Sequence, residues 1–532
     1  METSFNLLKQ SWLPCSDEHD RLVTLNLLDG IAQAHTLKEI QGDLSIVTGA
    51  LYLFLIAFIK TVLDIQTEEE WEVLWEAGKF PQDAFLRYAN QWQSRFDLFD
   101  TDHPFYQDPY IGQRERDAKM LAAGKSAEPK GISGLLMHLA SGNNATLFDH
   151  SLDDMPSWFT PAEVAQMLIT WQAFSLGGMS SASISKDKYY KDSPFARGIL
   201  FLNKGQSLFH TLMLNLFPAD YYSLPGQGED RPAWEIADAF QEQRFDPAGM
   251  LDFLTWQSRR ILLIPEENEG EVGVRSLFIA PGHGLVETFG NPFHHNRFQQ
   301  KDGKRTVRPM RFQQGRSLWR DSAAILNVRS QDTEAPLPIQ WSANLRFHRI
   351  LHTDTIQLNM IGMCTQPGQK KVYFYAHESF SAPIAYLEDS DLGYQLEKGL
   401  EWAEQVRSNL YLAVRDLARY FIVPMHDLEN ARTPSRDDTD PLMQHWNTEH
   451  HFWAFLEPAF YDYLVSLPLH ESAVEKWQNA IRKAARTALS VTANQVGTSP
   501  AGLKARAKAE SALSRLMYKT FNPEGNGETD DR

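Results

Sequence analysis

The rhythm of hydrophobic and polar positions divides this chain into three stretches. In the first, FNLLKQSWLP (Phe5 to Pro14) predicts an edge strand ending in proline, and LVTLNLLDGIAQA leads into helical territory. Leu44 to Leu63 predicts a strongly apolar helix, whose longest apolar run, Ile46 to Ile59, stops at Lys60 and falls short of a membrane span. Thr67 starts another helix, with Glu68, Glu69 and Glu70 in the first turn where the helix dipole favours acids; a further helix covers Gln82 to Arg95. Thr160 to Phe174 carries a threonine N-cap, Pro161 at the first helical position, and Val164, Met167, Leu168 and Trp171 on one face. Gln206 to Phe217 predicts one more helix.

From Phe253 to Pro383 the period shortens. RRILLIP, VRSLFIAPG, GLVETFG, RTVRPMRF, IQLNMIGM and KKVYFYAH, separated by Gly, Pro, Asn and Asp, predict strands and hairpins. Beyond Tyr394 the helical period returns, with helices near Tyr394 to Ile422, His445 to Leu467, Glu471 to Gln495 and Pro500 to Thr520, which predict a four-helix bundle. The expected fold class is α+β: a large mixed α/β domain over 1–385, a four-helix bundle over 386–522, and a disordered tail over 523–532.

Composition narrows the function. With 532 residues, 43% of them hydrophobic, the chain can bury a sizeable core. METSFNLLKQSW has no basic segment followed by an apolar one, and Cys15 and Cys364 are the only cysteines, so a cytoplasmic, reducing setting without disulfides or a cysteine zinc site is expected. A net charge of −17 argues against a surface that coats nucleic acid everywhere. Locally, however, Lys301, Lys304, Arg305, Arg308, Arg311, Arg316 and Arg320 face a single acid, Asp302, and such a patch attracts an anion; Lys301, Lys304 and Arg305 are candidates for a DNA backbone.

Three loops hold the candidate binding chemistry. SGNNATLFDH combines the amides of Asn143 and Asn144, the hydroxyl of Thr146 and the ring of Phe148, a set suited to base edges and stacking. SLGG places Gly177 and Gly178 after a helix, where backbone approaches a partner closely, with Lys186, Lys188, Lys191 and Arg197 beyond; a nucleotide loop would instead join a strand to a helix. CTQPGQKKVYFYAHE puts Gly368, Gln369, Lys370 and Lys371 at a hairpin tip, where an amide can wedge into a stack and lysines can hold phosphate.

Catalytic signatures are sparse: there is no GxSxG, HExxH, P-loop or CxxC. His445 and Glu449 at helical i, i+4 spacing, beside His450, form the best metal or acid–base set and keep a metal-dependent hydrolase open as an alternative. FDLFDTDHPFYQ clusters acids with His103 but fits no standard ligand spacing, and His294 and His295 are expected at the surface or in a turn. Binding is favoured over catalysis.

Taken together, FNLLKQSWLP, FDLFDTDHPFYQ, SGNNATLFDH, WQAFSLGG, FARGILFLNKGQSLFHTLMLN, GQKKV and the helical C-terminus resemble, in their shared order, the CasA family of large subunits of the type I-E CRISPR surveillance complex Cascade. The resemblance implies a non-catalytic subunit with no cofactor of its own, whose partners are guide RNA, the other Cascade subunits, double-stranded target DNA and a recruited helicase-nuclease; no membrane partner is expected, since the longest apolar run falls short of a span. It also implies that base pairing reads the target while this chain reads a short duplex motif beside it, the PAM. By motif, Asn143, Asn144, Thr146, Phe148 and His150 correspond to a loop near the guide-RNA handle and neighbouring subunit. Gly177 and Gly178 correspond to a glycine loop at the PAM duplex. Gln369, with Gly368 and Lys370, corresponds to a wedge that starts strand separation, although TQPGQKK also offers Gln366. Family members can carry a PAM-reading lysine before NPFHHN; here that region is GHGLVETFGN, where His283 is nearest, and no reader transfers. A purely structural scaffold remains a third reading.

Overall fold

The computed structural model describes residues 3–114, 117, 128–132, 158–179, 189–286, 290–301, 304–330, 332–365, 372–423 and 434–522, with the side chains of Met179, Lys301, Lys304 and Arg305 left out. The chain mixes helix and sheet and divides into two compact units. One contains Met1–Arg316, Val328–His352 and Ile356–Ser381; the other contains Ser317–Asn327, Thr353–Thr355 and Ala382–Arg532.

The first unit is built around helix Ser45–Leu63, which is buried without a break from Gly49 to Ile59. By length and composition this helix could cross a membrane, yet most of it lies inside the fold, as expected of a core helix that is apolar all round. Phe54 meets Trp12, Phe105, Tyr106 and Trp234 edge-on, and Phe58 packs on Phe85 and Phe96. Each such ring, fully buried, contributes on the order of 1.5–3 kcal/mol. Around this core stand small antiparallel sheets. Leu13–Asp17 lies between Leu22–Leu25 and Leu37–Ile40; Glu271–Pro281 lies between Lys130–Gly131 and Arg259–Asn268; Thr355–Thr365 lies between Val372–Pro383 and Leu200–Asn203.

Several expectations shift. Phe5 to Pro14 is not an edge strand: Asn6 folds its segment into a turn, its carbonyl accepting from the Lys9 and Gln10 amides and its side chain from the Leu8 amide, so the strand begins only at Leu13. The helix expected over Gln206 to Phe217 shrinks to Leu208–Leu214, because Asn215 turns its amide back onto the carbonyls of Asn203 and Thr211. GLVETFG forms no strand over its described residues, 284–286 and 290.

In the second unit, helix Ser390–Ile422 packs against Pro500–Phe521 and Ala473–Ala493, and Thr448–Ser466 packs against Ala473–Ala493. Its inner stripe, Leu396, Gly399, Leu400, Ala403, Val406, Leu410, Ala413, Val414 and Leu417, keeps the spacing of one helix face. Gly399 is required by close approach: a Cβ there would lie 2.7 Å from the Tyr463 ring, which stacks on Trp477 at 5.0 Å, while the Trp477 indole donates to the Gly399 carbonyl.

Candidate nucleic-acid interface

Helix Pro161–Phe174 delivers the chain to the glycine pair. Thr160 and Glu163 form a reciprocal capping box at its start, and Ser175 leaves it in extended backbone. Three hydroxyls then line up, Ser175 to Ser193 to Ser258, each 2.6 Å from the next, and the Gln172 amide bonds both the N–H and the carbonyl of Arg259. Gly177 is buried, and a Cβ on it would fall 2.7 Å from the Tyr190 carbonyl oxygen, so this backbone approach admits glycine alone. Gly178–Met179 pairs antiparallel with Tyr189–Tyr190, placing Gly178 opposite Tyr190.

The side chains around this pair hold it from below. Asp192 accepts the Gly177 N–H at 2.5 Å and is itself bound by Arg197, whose Nε donates at 2.9 Å. Arg259, fully buried, donates to the carbonyls of Leu176 (3.0 Å), Lys191 (2.9 Å) and Ser258 (2.9 Å), and its guanidinium lies 4.6 Å from the centre of the Tyr190 ring. Burial pulls this guanidinium down to about 10, which keeps it charged at neutral pH. Tyr189, the other residue of the dipeptide, points away and is 63% exposed. Arg197, one of the basic residues beyond the glycines, is committed to Asp192.

A second cationic element is the ribbon formed by Asn296–Lys301 and Lys304–Pro309. Its register sets Arg297 directly across from Arg308, both exposed, with Gln299 across from Thr306. Like charges placed opposite one another cost stability, and an anion relieves that cost. Lys301 and Lys304 pair in register where the ribbon closes and Arg305 pairs with Gln300; their side chains lie outside the described residues.

Comparison with known proteins identifies the chain. It matches the family described as CRISPR-associated protein Cse1 over residues 6–488. The chain belongs to that family. A CasA/Cse1 protein of Thermus thermophilus is 29% identical over 521 residues, 96% of this chain and 97% of the relative. A crystal structure of CasA from Thermus thermophilus superposes with a TM-score of 0.78 at 26% identity, covering 97% of this chain and 100% of that one. A chain of a structure described as a CRISPR RNA-guided surveillance complex shares the fold, with a TM-score of 0.72 at 17% identity, over 97% of this chain and 99% of that one.

Within this Cse1 chain the remaining sequence candidates separate. His283 is unsuited to reading DNA: it is buried, stacks on Phe240 and contacts Trp256, and engages both ring nitrogens. Nε2 lies 2.7 Å from the Ala239 carbonyl, which only accepts, so the proton sits on Nε2 and Nδ1 accepts the Arg244 N–H. Of His294 and His295, expected at the surface or in a turn, His294 closes a turn by donating its N–H to the Asn291 carbonyl at 3.0 Å, but both are buried; burial, with Arg311 nearby, pushes His294 down to about 3.

The helix that would align His445 with Glu449 is broken at Asn447, whose φ of 49° ends Arg436–Trp446 before Thr448–Ser466 begins. Glu449 accepts instead from the Trp453 indole, and no cluster of three metal-ligating side chains occurs among the described residues. In FDLFDTDHPFYQ the acids cap turns, Asp97 accepting from the amides of Phe5 and Phe99 and Asp100 from those of Asp102 and His103. Asn143, Asn144, Thr146, Phe148 and His150, and likewise Gln366, Gly368, Gln369, Lys370 and Lys371, lie outside the described residues.

Sequence reasoning found the glycines but missed what holds them, namely Arg259, Tyr190 and Asp192, as well as Arg297. The available signal was the double arginine opening the apolar strand RRILLIP, since a charge in a buried strand must have a partner.

Proposed function

We propose that this chain is the large, non-catalytic subunit of a type I-E CRISPR surveillance complex, Cascade. Guide RNA reads the target by base pairing, and this chain reads the short duplex motif next to it. In this reading a mixed α/β domain carries the recognition loops and a four-helix bundle follows it. The loop of Gly177 and Gly178 lies close to the motif duplex, with Gly178 as its accessible member. Gln369, flanked by Gly368, Lys370 and Lys371, wedges the first base step apart, and the ribbon of Lys301, Lys304 and Arg305 holds phosphate. Asn143, Asn144, Thr146, Phe148 and His150 dock the subunit at the guide handle. The opened target then passes to a recruited helicase-nuclease.

The observation that carries the reading is the Gly177–Gly178 backbone, fixed on one side by Asp192 and Arg259 in a protein of the Cse1 family. The Arg297–Arg308 pair supports it, because a cross-strand arginine pair suits a polyanion. Unstacking a base step costs a few kcal/mol, which neighbouring backbone contacts must offset.

The test is the Gln369→Ala variant in the assembled complex. R-loop formation slows on closed linear duplex and stays near the parent rate on a target already opened beside the motif; equal rates on closed duplex would remove the wedge. Phe148→Ala is expected to weaken retention of the subunit on the guide-bound core, and unchanged co-purification would remove that loop from assembly.

A further inference from the structure

Two glycines in succession carry a large entropy cost of ordering, and a backbone surface that must meet a rigid duplex binds well only if that cost is met beforehand. The restraint does not come from the glycines themselves. Their segment runs beside Tyr189–Asp192, and both sides converge on one side chain that arrives from the distant strand Arg259–Asn268. Arg259 reaches the Leu176 carbonyl on one side and the Lys191 carbonyl on the other, while the Tyr190 ring covers its guanidinium. Among the described residues no carboxylate is a hydrogen-bond partner of Arg259, and Asp192 acts on it only through its field. The acceptors of Arg259 are main-chain carbonyls, so its charge is spent on backbone position. The planar fork suits this task, since it donates in fixed directions to acceptors on two segments at once, which a lysine ammonium cannot match.

We propose that Arg259 is the positioning residue of the duplex-reading glycine pair: it clamps Leu176 and Lys191 together so that Gly178, backed by the buried Gly177, meets the DNA as a preformed surface. This inference rests on the DNA contact proposed above.

The test uses the complete complex loaded with guide RNA and two linear targets, one a closed duplex bearing the motif, the other identical but with a mismatched bubble beside it. Arg259→Met is expected to slow opening of the closed duplex by about tenfold or more, and Arg259→Lys by less, because an ammonium keeps part of the carbonyl contacts. Both variants open the bubble target at the parent rate and stay bound to the complex. Equal slowing on the two targets would make Arg259 a fold residue only and overturn the proposal, as would an unchanged rate on closed duplex. Gly178→Asp, which sets a carboxylate against phosphate, separates this inference from the reading beneath it. If it slows closed-duplex opening while Arg259→Met does not, the DNA contact stands and the positioning role falls. If Gly178→Asp has no effect, the DNA contact falls and the positioning role falls with it.

Discussion

Arg259 and Arg260 are neighbours on one strand, both buried, and they are held in opposite ways. Arg260 sits in a cage of carboxylates. It donates to Asp108 at 2.6 Å and to both oxygens of Asp117 at 2.9 and 2.6 Å, and Asp108 is shared with Arg114, which also binds Asp238. Burial opposes its charge, but these aspartates win and raise its pKa above the ordinary arginine value. Arg259, facing the other side of the strand, has carbonyls and a ring, and its pKa falls. Successive residues of a strand point to opposite faces, so a two-residue motif serves two regions. The Arg260 side closes an ionic lock within the fold, and the Arg259 side fastens a surface loop. A buried arginine is therefore not one kind of thing: its partners decide whether removing it endangers folding or function.

The largest expected effect tests the lock. Arg260→Met leaves Asp108 and Asp117 buried without their main counter-charge and should cost about 3–5 kcal/mol in chemical denaturation. Arg259→Met strands carbonyls but no carboxylate and should cost about 1–3 kcal/mol. Equal costs for the two would break the comparison.

Acid probes a third kind of buried base, one that stays neutral. His294 has a folded pKa near 3 and an unfolded value near 6.5, so the unfolded state takes up the proton first. Stability from this group is complete above about pH 6.5 and is lost as pH falls towards 3. The advantage of the parent over His294→Gln should therefore shrink by about 2 kcal/mol between pH 7 and pH 5; a constant difference would contradict the neutral assignment. The smallest effect belongs to Arg197→Gln. Water reaches both Arg197 and Asp192, so the stability loss stays below about 1 kcal/mol, and a larger loss would place Arg197 with the buried arginines.

What the sequence revealed follows the range of the interactions involved. Thr160, Pro161 and Glu163 announce their helix because a capping box is complete within four residues, and Ser45–Leu63 announces itself by apolar length. Phe5 to Pro14 misleads because the side chain of Asn6 competes with the ladder, a choice that apolar periodicity does not record. His445 and Glu449 mislead because spacing assumes an unbroken helix, and Asn447 adopts a left-handed conformation between them. In the candidate site, Gly177 was legible as a place of close backbone approach. Its support was not, since Arg259 joins it only through tertiary folding; the burial of His283 and His294 is tertiary for the same reason.

The most direct measurement of the central claim is strand opening by the guide-loaded core, with and without this chain, on closed duplex targets that differ only in the motif beside the guide-matched sequence. The account predicts that adding the chain produces fast opening on the motif-bearing target and little on the other. Opening that is the same without the chain, or the same on both targets, would contradict it.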